Sequence, residues 1–146
     1  MNVGTLCSRF LATVSVGAPI SEVAHLMKDR RVGAVVVTQG DGEHVRVAGI
    51  LTDRDIVRAQ LARTADLTSL SAAETMTRDP LVLCEEEPID RAIAHLRVRG
   101  VRRAPVVRED GTPVGIISVD DLLAHVAVKV AGIASILAQQ ARREER

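Results

Sequence analysis

The chain shows the same succession of apolar and polar positions twice. After Pro19, and again after Pro88, an apolar residue recurs every three or four positions, which predicts an amphipathic helix opened by proline. An apolar run, a turn rich in Gly and Asp and a second apolar run follow each helix, which predicts a buried hairpin. The predicted strands lie at 13–16, 34–37 and 47–51 in the first copy, and at 81–84, 104–107 and 114–117 in the second.

A second helix is predicted after each hairpin, and its first turn has the residues of a helix cap. Thr52 and Ser118 stand at the start of these helices, with Asp55 and Asp121 three residues further on. A hydroxyl at the N-cap and an acidic residue at the third helical position satisfy the free N–H groups of a helix start. The repeated unit is therefore β-α-β-β-α, and the predicted fold class is α/β (α+β).

The repeats divide the chain into four predicted segments. The first repeat occupies 1–62, a small and polar joint 63–77, and the second repeat 78–127. A C-terminal helix with a charged tail occupies 128–146. Within the joint, a short helix is predicted around 72–76.

Composition and charge narrow the classes of function. The chain has 146 residues, a formal net charge of zero and one aromatic residue, Phe10. A nucleic-acid binder usually carries a basic surplus, so no nucleic-acid partner is expected. No apolar stretch approaches the roughly 20 residues that span a membrane, and no signal pattern opens the chain. Cys7 and Cys84 are too few for a disulfide framework, so we expect a cytoplasmic protein without a membrane partner.

The sequence offers no candidate catalytic or metal-ligating residues. The four histidines lack metal-type spacing, and the two cysteines lack a Cys-x-x-Cys context. A hydrolase or transferase needs an activated nucleophile or paired carboxylates, and neither arrangement is evident. We therefore expect a protein that is not an enzyme and that requires no cofactor.

The repeated segments resemble a known family, the CBS domains first named in cystathionine β-synthase. The resemblance rests on 33–37 followed by 49–56, and on 103–107 followed by 115–122. Met76-Thr77 also resembles the family's lead into a second repeat. The organisation is similar to stand-alone prokaryotic CBS-pair proteins, including the mycobacterial hypoxic-response type.

This resemblance implies two repeats packed as a pseudo-twofold pair with two clefts between them. Many family members bind AMP, ADP, ATP, S-adenosylmethionine or NAD in such clefts, and pairs commonly form homodimers. The implied function is a non-catalytic regulatory or sensor module, with AMP or ATP as the expected ligand and an unknown effector protein as its target. The alternative is a ligand-free homodimeric adaptor whose aspartates only cap helices.

The two Thr/Ser-x-x-Asp corners are the candidates for binding ribose and phosphate. The carboxylates of Asp55 and Asp121 can accept hydrogen bonds from a ribose diol, with Thr52 and Ser118 beside them. The helix start also offers N–H groups to a phosphate. The same residues make a plain helix cap, and the two roles can coexist.

Family geometry pairs each corner with the first strand of the other repeat, which implies where the adenine would lie. The corner of Thr52 would face 80–82, and the corner of Ser118 would face 13–15. For each apolar residue taken singly, packing in the core is the simpler interpretation. The adenine-slot candidates are Thr13, Val14, Ser15, Val32, Pro80, Leu81, Val82 and Val101.

Three arginines are candidates for contacts with phosphate, because a guanidinium can bind phosphate in a bidentate manner. Arg54 lies in the first corner, and Arg102 and Arg103 precede the second buried strand. The first copy has Gly33 and Ala34 at the positions equivalent to Arg102 and Arg103. One cleft is therefore expected to be basic and the other neutral, with the basic cleft at the corner of the first repeat.

Overall fold

The protein folds into two small sheets with helices packed against them. A computed structural model describes residues 1–62 and 66–144. The helices are α1 (Val3–Leu6), α2 (Ile20–Arg30), α3 (Asp53–Ala62), α4 (Ala72–Thr75), α5 (Ile89–Arg99) and α6 (Val119–Glu144). The strands are β1 (Thr13–Ser15), β2 (Ala34–Gln39), β3 (Arg46–Thr52), β4 (Thr77–Arg78), β5 (Leu83–Cys84), β6 (Arg103–Val107) and β7 (Pro113–Ser118).

The predicted β-α-β-β-α unit is confirmed in both repeats. The first sheet has the order β1-β2-β3-β4 and the second the order β5-β6-β7. In each, the first strand runs parallel to the second, and the hairpin strands are antiparallel. Each sheet lies over its own apolar cluster, with Val35 and Leu51 at the centre of one and Val106 and Ile117 at the centre of the other.

Each sheet also takes a short segment from outside its own hairpin. The segment 3–8 packs into the core of the second repeat, where Ser8 and Ile116 exchange backbone hydrogen bonds of 2.9 and 3.0 Å. The segment 72–78 packs into the core of the first repeat, where Thr77 lies opposite Ile50. The start of the chain thus belongs to the core of the second repeat, and the end of the predicted joint at 63–77 belongs to the core of the first.

Two equivalent glycines make room for segments 3–8 and 72–78, which we name the exchanged segments. A Cβ at Gly115 would lie 2.6 Å from the backbone oxygen of Ser8. A Cβ at Gly49 would lie 2.8 Å from the backbone oxygen of Thr77. Real Cβ atoms do not approach oxygen so closely, so the exchange depends on glycine at both strands. The short helix predicted around 72–76 is confirmed as α4, whereas its counterpart α1 was not predicted.

The helix boundaries differ from prediction at their starts. Pro19 and Pro88 occupy the N-cap position in extended backbone, with φ of −63° and −61°, so the helices begin one residue later than expected. Both helices end on a residue in the left-handed conformation, Arg31 with φ 54° and Gly100 with φ 63°. Glycine adopts that conformation readily, so the second copy ends with less strain.

The last helix is longer than the predicted division at 128 implies. Helix α6 runs through 26 residues without a break, joining the second helix of the repeat to the C-terminal segment. By length and composition, Val119–Arg143 is apolar enough to cross a membrane, and only 6 % of its most apolar stretch is buried. The expectation that no apolar stretch approaches membrane-spanning length is therefore wrong. Alanines between the larger residues keep the stretch apolar despite Lys129.

Candidate functional site

The two Thr/Ser-x-x-Asp corners form matching networks of hydrogen bonds. The backbone N–H and the hydroxyl of Thr52 donate to Oδ2 of Asp55, at 2.9 and 2.8 Å, and the N–H of Asp55 donates back to Thr52 Oγ1 at 3.3 Å. Ser118 and Asp121 repeat the pattern, at 2.7, 2.7 and 3.3 Å. The predicted helix caps are confirmed at both corners.

Each aspartate keeps one carboxylate oxygen for another partner. Both caps use Oδ2, and among the described residues no hydrogen bond involves Oδ1 of Asp55 or Asp121. Both side chains are half-buried, so an incoming hydroxyl group meets a carboxylate already held in place. Capping and ligand binding are therefore compatible in one side chain, because a carboxylate has two oxygens and about four lone-pair positions.

The first corner opens into a cavity of about 330 Å³, which we name the Thr52 cleft. It brings the sequence candidates Thr52, Asp55 and Arg54 together with Val101, Arg102 and Arg103 of the other repeat. Its four arginines outnumber its two aspartates, so the cleft favours an anionic ligand. The cleft is lined by Gly33, Ile50, Thr52, Asp53, Arg54, Asp55, Arg58, Thr77, Val101, Arg102 and Arg103.

The second corner opens into a smaller cavity of about 240 Å³, which we name the Ser118 cleft. It brings together the sequence candidates Ser118, Asp121, Val32 and Arg103. Its charged side chains are two aspartates and one arginine, so it is less basic than the Thr52 cleft. The cleft is lined by Ser8, Phe10, Leu11, Ala12, Val32, Gly33, Ala34, Val36, Arg103, Ile116, Ser118, Asp120 and Asp121.

Arg103 lines both clefts, which corrects the expectation that it serves the basic cleft alone, while the expected difference in charge between the clefts remains. Arg103 is the first residue of β6 and lies opposite Ser118 of β7, near the point where the two repeats meet. Arg102 lines the Thr52 cleft, where its guanidinium lies 3.6 Å from Asp120. Both members of that ion pair are largely exposed, so it holds Arg102 weakly.

Six of the predicted adenine-slot residues lie outside the lining of these two clefts. Val14 is 6 % exposed and belongs to the core, while Thr13 and Ser15 are exposed on the same strand, β1. The Ser118 cleft is lined instead by 10–12, immediately before that strand. Likewise the Thr52 cleft is lined by Thr77, ahead of the predicted 80–82. The chain passes the clefts before the predicted strands 13–16 and 81–84 begin, because the exchanged segments cross between the repeats at these points.

The sequence interpretation missed Phe10 and Arg58. Phe10 is 56 % exposed, lines the Ser118 cleft, and has the Arg30 guanidinium 5.2 Å from its ring centroid. Its position directly ahead of the first strand was the available signal. Arg58 lies on α3 three residues after Asp55 and lines the same cleft. Residues three apart on a helix lie side by side, so the spacing between Asp55 and Arg58 was the available signal.

The geometry of two repeats with paired clefts agrees with the comparison with known families. The family model for the CBS domain matches residues 3–62 and 71–128. The chain therefore belongs to the CBS domain family, as a tandem pair of repeats. Within residues 1–62 and 66–144, no group of three or more His, Cys, Asp and Glu side chains is placed to hold a metal ion.

Individual relatives cover most of the chain. Hypoxic response protein 1 of Mycobacterium tuberculosis is 30 % identical over 127 residues, which cover 86 % of this chain and 81 % of that protein. An uncharacterized protein of Methanopyrus kandleri is 26 % identical over 84 % of this chain, which spans 61 % of that protein's length. The crystal structure of a CBS domain protein from Pyrobaculum aerophilum complexed with AMP is 30 % identical, with a TM-score of 0.73, covering 84 % of this chain and 90 % of that one.

Proposed function

We propose that this chain is a non-catalytic sensor module that binds an adenosyl nucleotide in the Thr52 cleft and in the Ser118 cleft. The observation that carries this proposal is the duplicated corner, in which a half-buried, immobilised aspartate keeps Oδ1 unbonded beside a helix start and Arg103. A plain helix cap requires neither a cavity nor an arginine beside the free carboxylate oxygen.

The proposed mode of binding assigns one part of the nucleotide to each group of the cleft. The ribose diol donates hydrogen bonds to Oδ1 of Asp55 or Asp121, because an ionised carboxylate is a strong acceptor. The phosphate approaches the N-terminal turn of α3 or α6 and the guanidinium of Arg103. In the Ser118 cleft, Phe10 offers a ring against which adenine can stack.

AMP is the first ligand to test, and ATP the second. The relative from Pyrobaculum aerophilum was crystallised with AMP, and this chain shares 30 % of its residues. The clefts have volumes of about 330 and 240 Å³, one at the lower end of the roughly 300–1,000 Å³ usual for small-molecule sites and one below it, which favours a small nucleotide. ADP, S-adenosylmethionine and NAD share the adenosyl group and belong in the same screen.

As a sensor without catalytic groups, the module would report occupancy of its clefts to a separate effector protein. We further propose that it acts as a cytoplasmic homodimer. Ligand binding would shift the relative positions of the repeats, because Arg103 connects the two clefts.

The test is a thermal-shift and calorimetric screen with AMP, ADP, ATP, S-adenosylmethionine and NAD, with GMP as the control for base selectivity. A ligand at a hundred times its dissociation constant stabilises the native state by roughly 2.7 kcal/mol, which gives a clear rise in melting temperature. Binding of an adenosyl ligand, lost in Asp55→Asn/Asp121→Asn, is the expected result. No binding by any of them would contradict the proposal and favour the ligand-free homodimeric adaptor.

A further inference from the structure

Helix α6 carries an exposed apolar stripe, which we name the α6 seam: Leu123, Val126, Val130, Ile133 and Leu137. These side chains are 50–65 % exposed, although each is large and apolar. Successive members lie three or four residues apart, which is the spacing of the contact positions in a coiled coil. The 26 residues of α6 extend for about 39 Å, so the seam is long enough to pair with a second helix.

The spacing along the seam is the same when read from either end. From Val126 to Leu137 the intervals are four, three and four residues, centred between Ala131 and Gly132. A second α6 that runs antiparallel therefore places Val126 beside its Leu137, and Leu137 beside its Val126. A twofold pair of identical seams therefore matches Val126 with Leu137 and Val130 with Ile133, while Leu123 lies beyond this symmetric part, towards the body of the second repeat.

The charges at the two ends of α6 favour the same antiparallel alignment. Asp120 and Asp121 lie in the first turn, and Arg142 and Arg143 lie in the last. Antiparallel pairing about the same centre brings the acidic end of each helix beside the basic end of the other. Parallel pairing would place like charges together at both ends, which destabilises an interface.

An apolar groove continues the seam at the base of α6. The groove lies between α5 and α6, has a volume of about 410 Å³, and is lined largely by aliphatic side chains. Ile93 and Val101 are 41 % and 37 % exposed there. In the antiparallel alignment, the C-terminal half of the second α6 passes over this groove, and its Leu137 meets Val126 of the groove.

We infer that the α6 seam and this groove form the interface between two copies of the chain, paired antiparallel about Ala131 and Gly132. The inference deepens the proposed homodimer by assigning its surface and orientation. It is tested separately from nucleotide binding, because neither Thr52 nor Ser118, nor either aspartate of the corners, belongs to the seam or the groove, although Val101 and Arg102 line both the groove and the Thr52 cleft.

The first experiment compares two charge substitutions on the same helix. Ile133→Asp places a carboxylate in the seam, and Ser135→Asp places one on the opposite face. Light scattering after size-exclusion chromatography should give a dimer for the parent and for Ser135→Asp. Ile133→Asp should raise the dimer dissociation constant by on the order of a hundredfold, because it buries an unpaired charge. Circular dichroism confirms that both variants keep their helix. A dimeric Ile133→Asp, or a monomeric parent, would overturn the inference.

The orientation is tested with single cysteines, in a background where Cys84 is replaced by serine and Cys7 remains buried. Val126→Cys and Leu137→Cys are oxidised separately and then as a mixture. Antiparallel pairing gives a disulfide-linked dimer only in the mixture, since positions 126 and 137 are about 16 Å apart along one helix. Parallel pairing would link each variant to itself, and that outcome contradicts the inference.

A lipid surface is the other environment that an exposed apolar helix can enter. Sedimentation with phosphatidylcholine and phosphatidylglycerol vesicles should leave the parent in the supernatant as a dimer. A monomeric parent that sediments with vesicles, and loses this property in Ile133→Asp, would assign the seam to lipid instead. Nucleotide titration of Ile133→Asp separates the two proposals: a monomer that binds nucleotide supports both, and a dimeric parent that binds none contradicts the proposed function alone.

Discussion

Substitution of Asp121 separates its role in the helix cap from its proposed role in binding. Asp121→Ala removes the acceptor of two hydrogen bonds from Ser118, at 2.7 Å each. Loss of a helix cap costs roughly 0.5–2 kcal/mol of the free energy of unfolding. At this chain length, that loss corresponds to a melting temperature lower by roughly 2–8 °C.

Asp121→Asn keeps the cap but changes the oxygen offered to the ligand. The amide oxygen still accepts from the N–H and hydroxyl of Ser118, whereas the amide nitrogen that replaces Oδ1 cannot accept from a ribose hydroxyl. We expect the free energy of unfolding to fall by less than about half of the loss in Asp121→Ala. A lost charged hydrogen bond costs roughly 1.5–3 kcal/mol, so nucleotide affinity in the Ser118 cleft should fall roughly 10- to 150-fold in both variants.

Urea denaturation measures the stability of each variant, and calorimetric titration with AMP measures its affinity. Asp90→Asn is the matched control, because Asp90 lies in the first turn of α5 and outside both clefts. It should bind AMP as the parent does. If Asp121→Asn and Asp55→Asn also bound AMP like the parent, the aspartates would be helix caps only, and the proposed binding mode would be refuted.

Further substitutions test the clefts, the exchanged segments and the buried thiol. Arg102→Ala should lower the affinity for ATP more than that for AMP, and only in the Thr52 cleft, whereas Arg103→Ala should lower nucleotide affinity in both clefts. Calorimetric titration measures both affinities, and an Arg103→Ala variant that loses affinity in one cleft only would contradict the shared position of Arg103. Gly115→Ala should lower the free energy of unfolding by about 1–3 kcal/mol by crowding a backbone oxygen, and Gly17→Ala, with open space around it, should not. Burial raises the pKa of the Cys7 thiol, so little of it is thiolate near pH 8. Mass spectrometry should therefore detect iodoacetamide labelling of the half-buried Cys84 before that of Cys7, and the labelling of Cys7 should become faster as the pH rises.

The elements that could be predicted from the sequence are those with a strong period or a distinctive cap. Helices α2 and α5, the hairpins and the caps at Thr52 and Ser118 all leave such a signal, because burial on one face dictates which positions are apolar. Helix α1 leaves none, since its four residues are too few to show a helical period. The equivalence of α1 and α4 is evident only from the structure, in which segments 3–8 and 72–78 occupy equivalent places on the two sheets.

The candidate site was predicted where it depends on local sequence and missed where it depends on packing between the repeats. The grouping of Asp55 with Arg102 and Arg103 followed from the geometry that the resemblance to the CBS family implies, and the structure brings these residues together. The position of Phe10 and the sharing of Arg103 depend on where the exchanged segments cross, which no periodicity reports. The apolar length of α6 was underestimated because the predicted division at 128 splits one continuous helix into two shorter segments.

The exchanged segments also affect the order in which the chain can fold as it is synthesised. Segment 3–8 is synthesised before the first repeat is complete, but the strand that contains Ile116, with which it pairs, becomes available only near the end of the second repeat. The first sheet likewise lacks its edge strand until Arg78 has emerged. Contacts between residues so distant in sequence slow folding, and unpaired edges expose a nascent chain to aggregation. Deleting 1–8 should therefore impair folding of the repeat that is synthesised last.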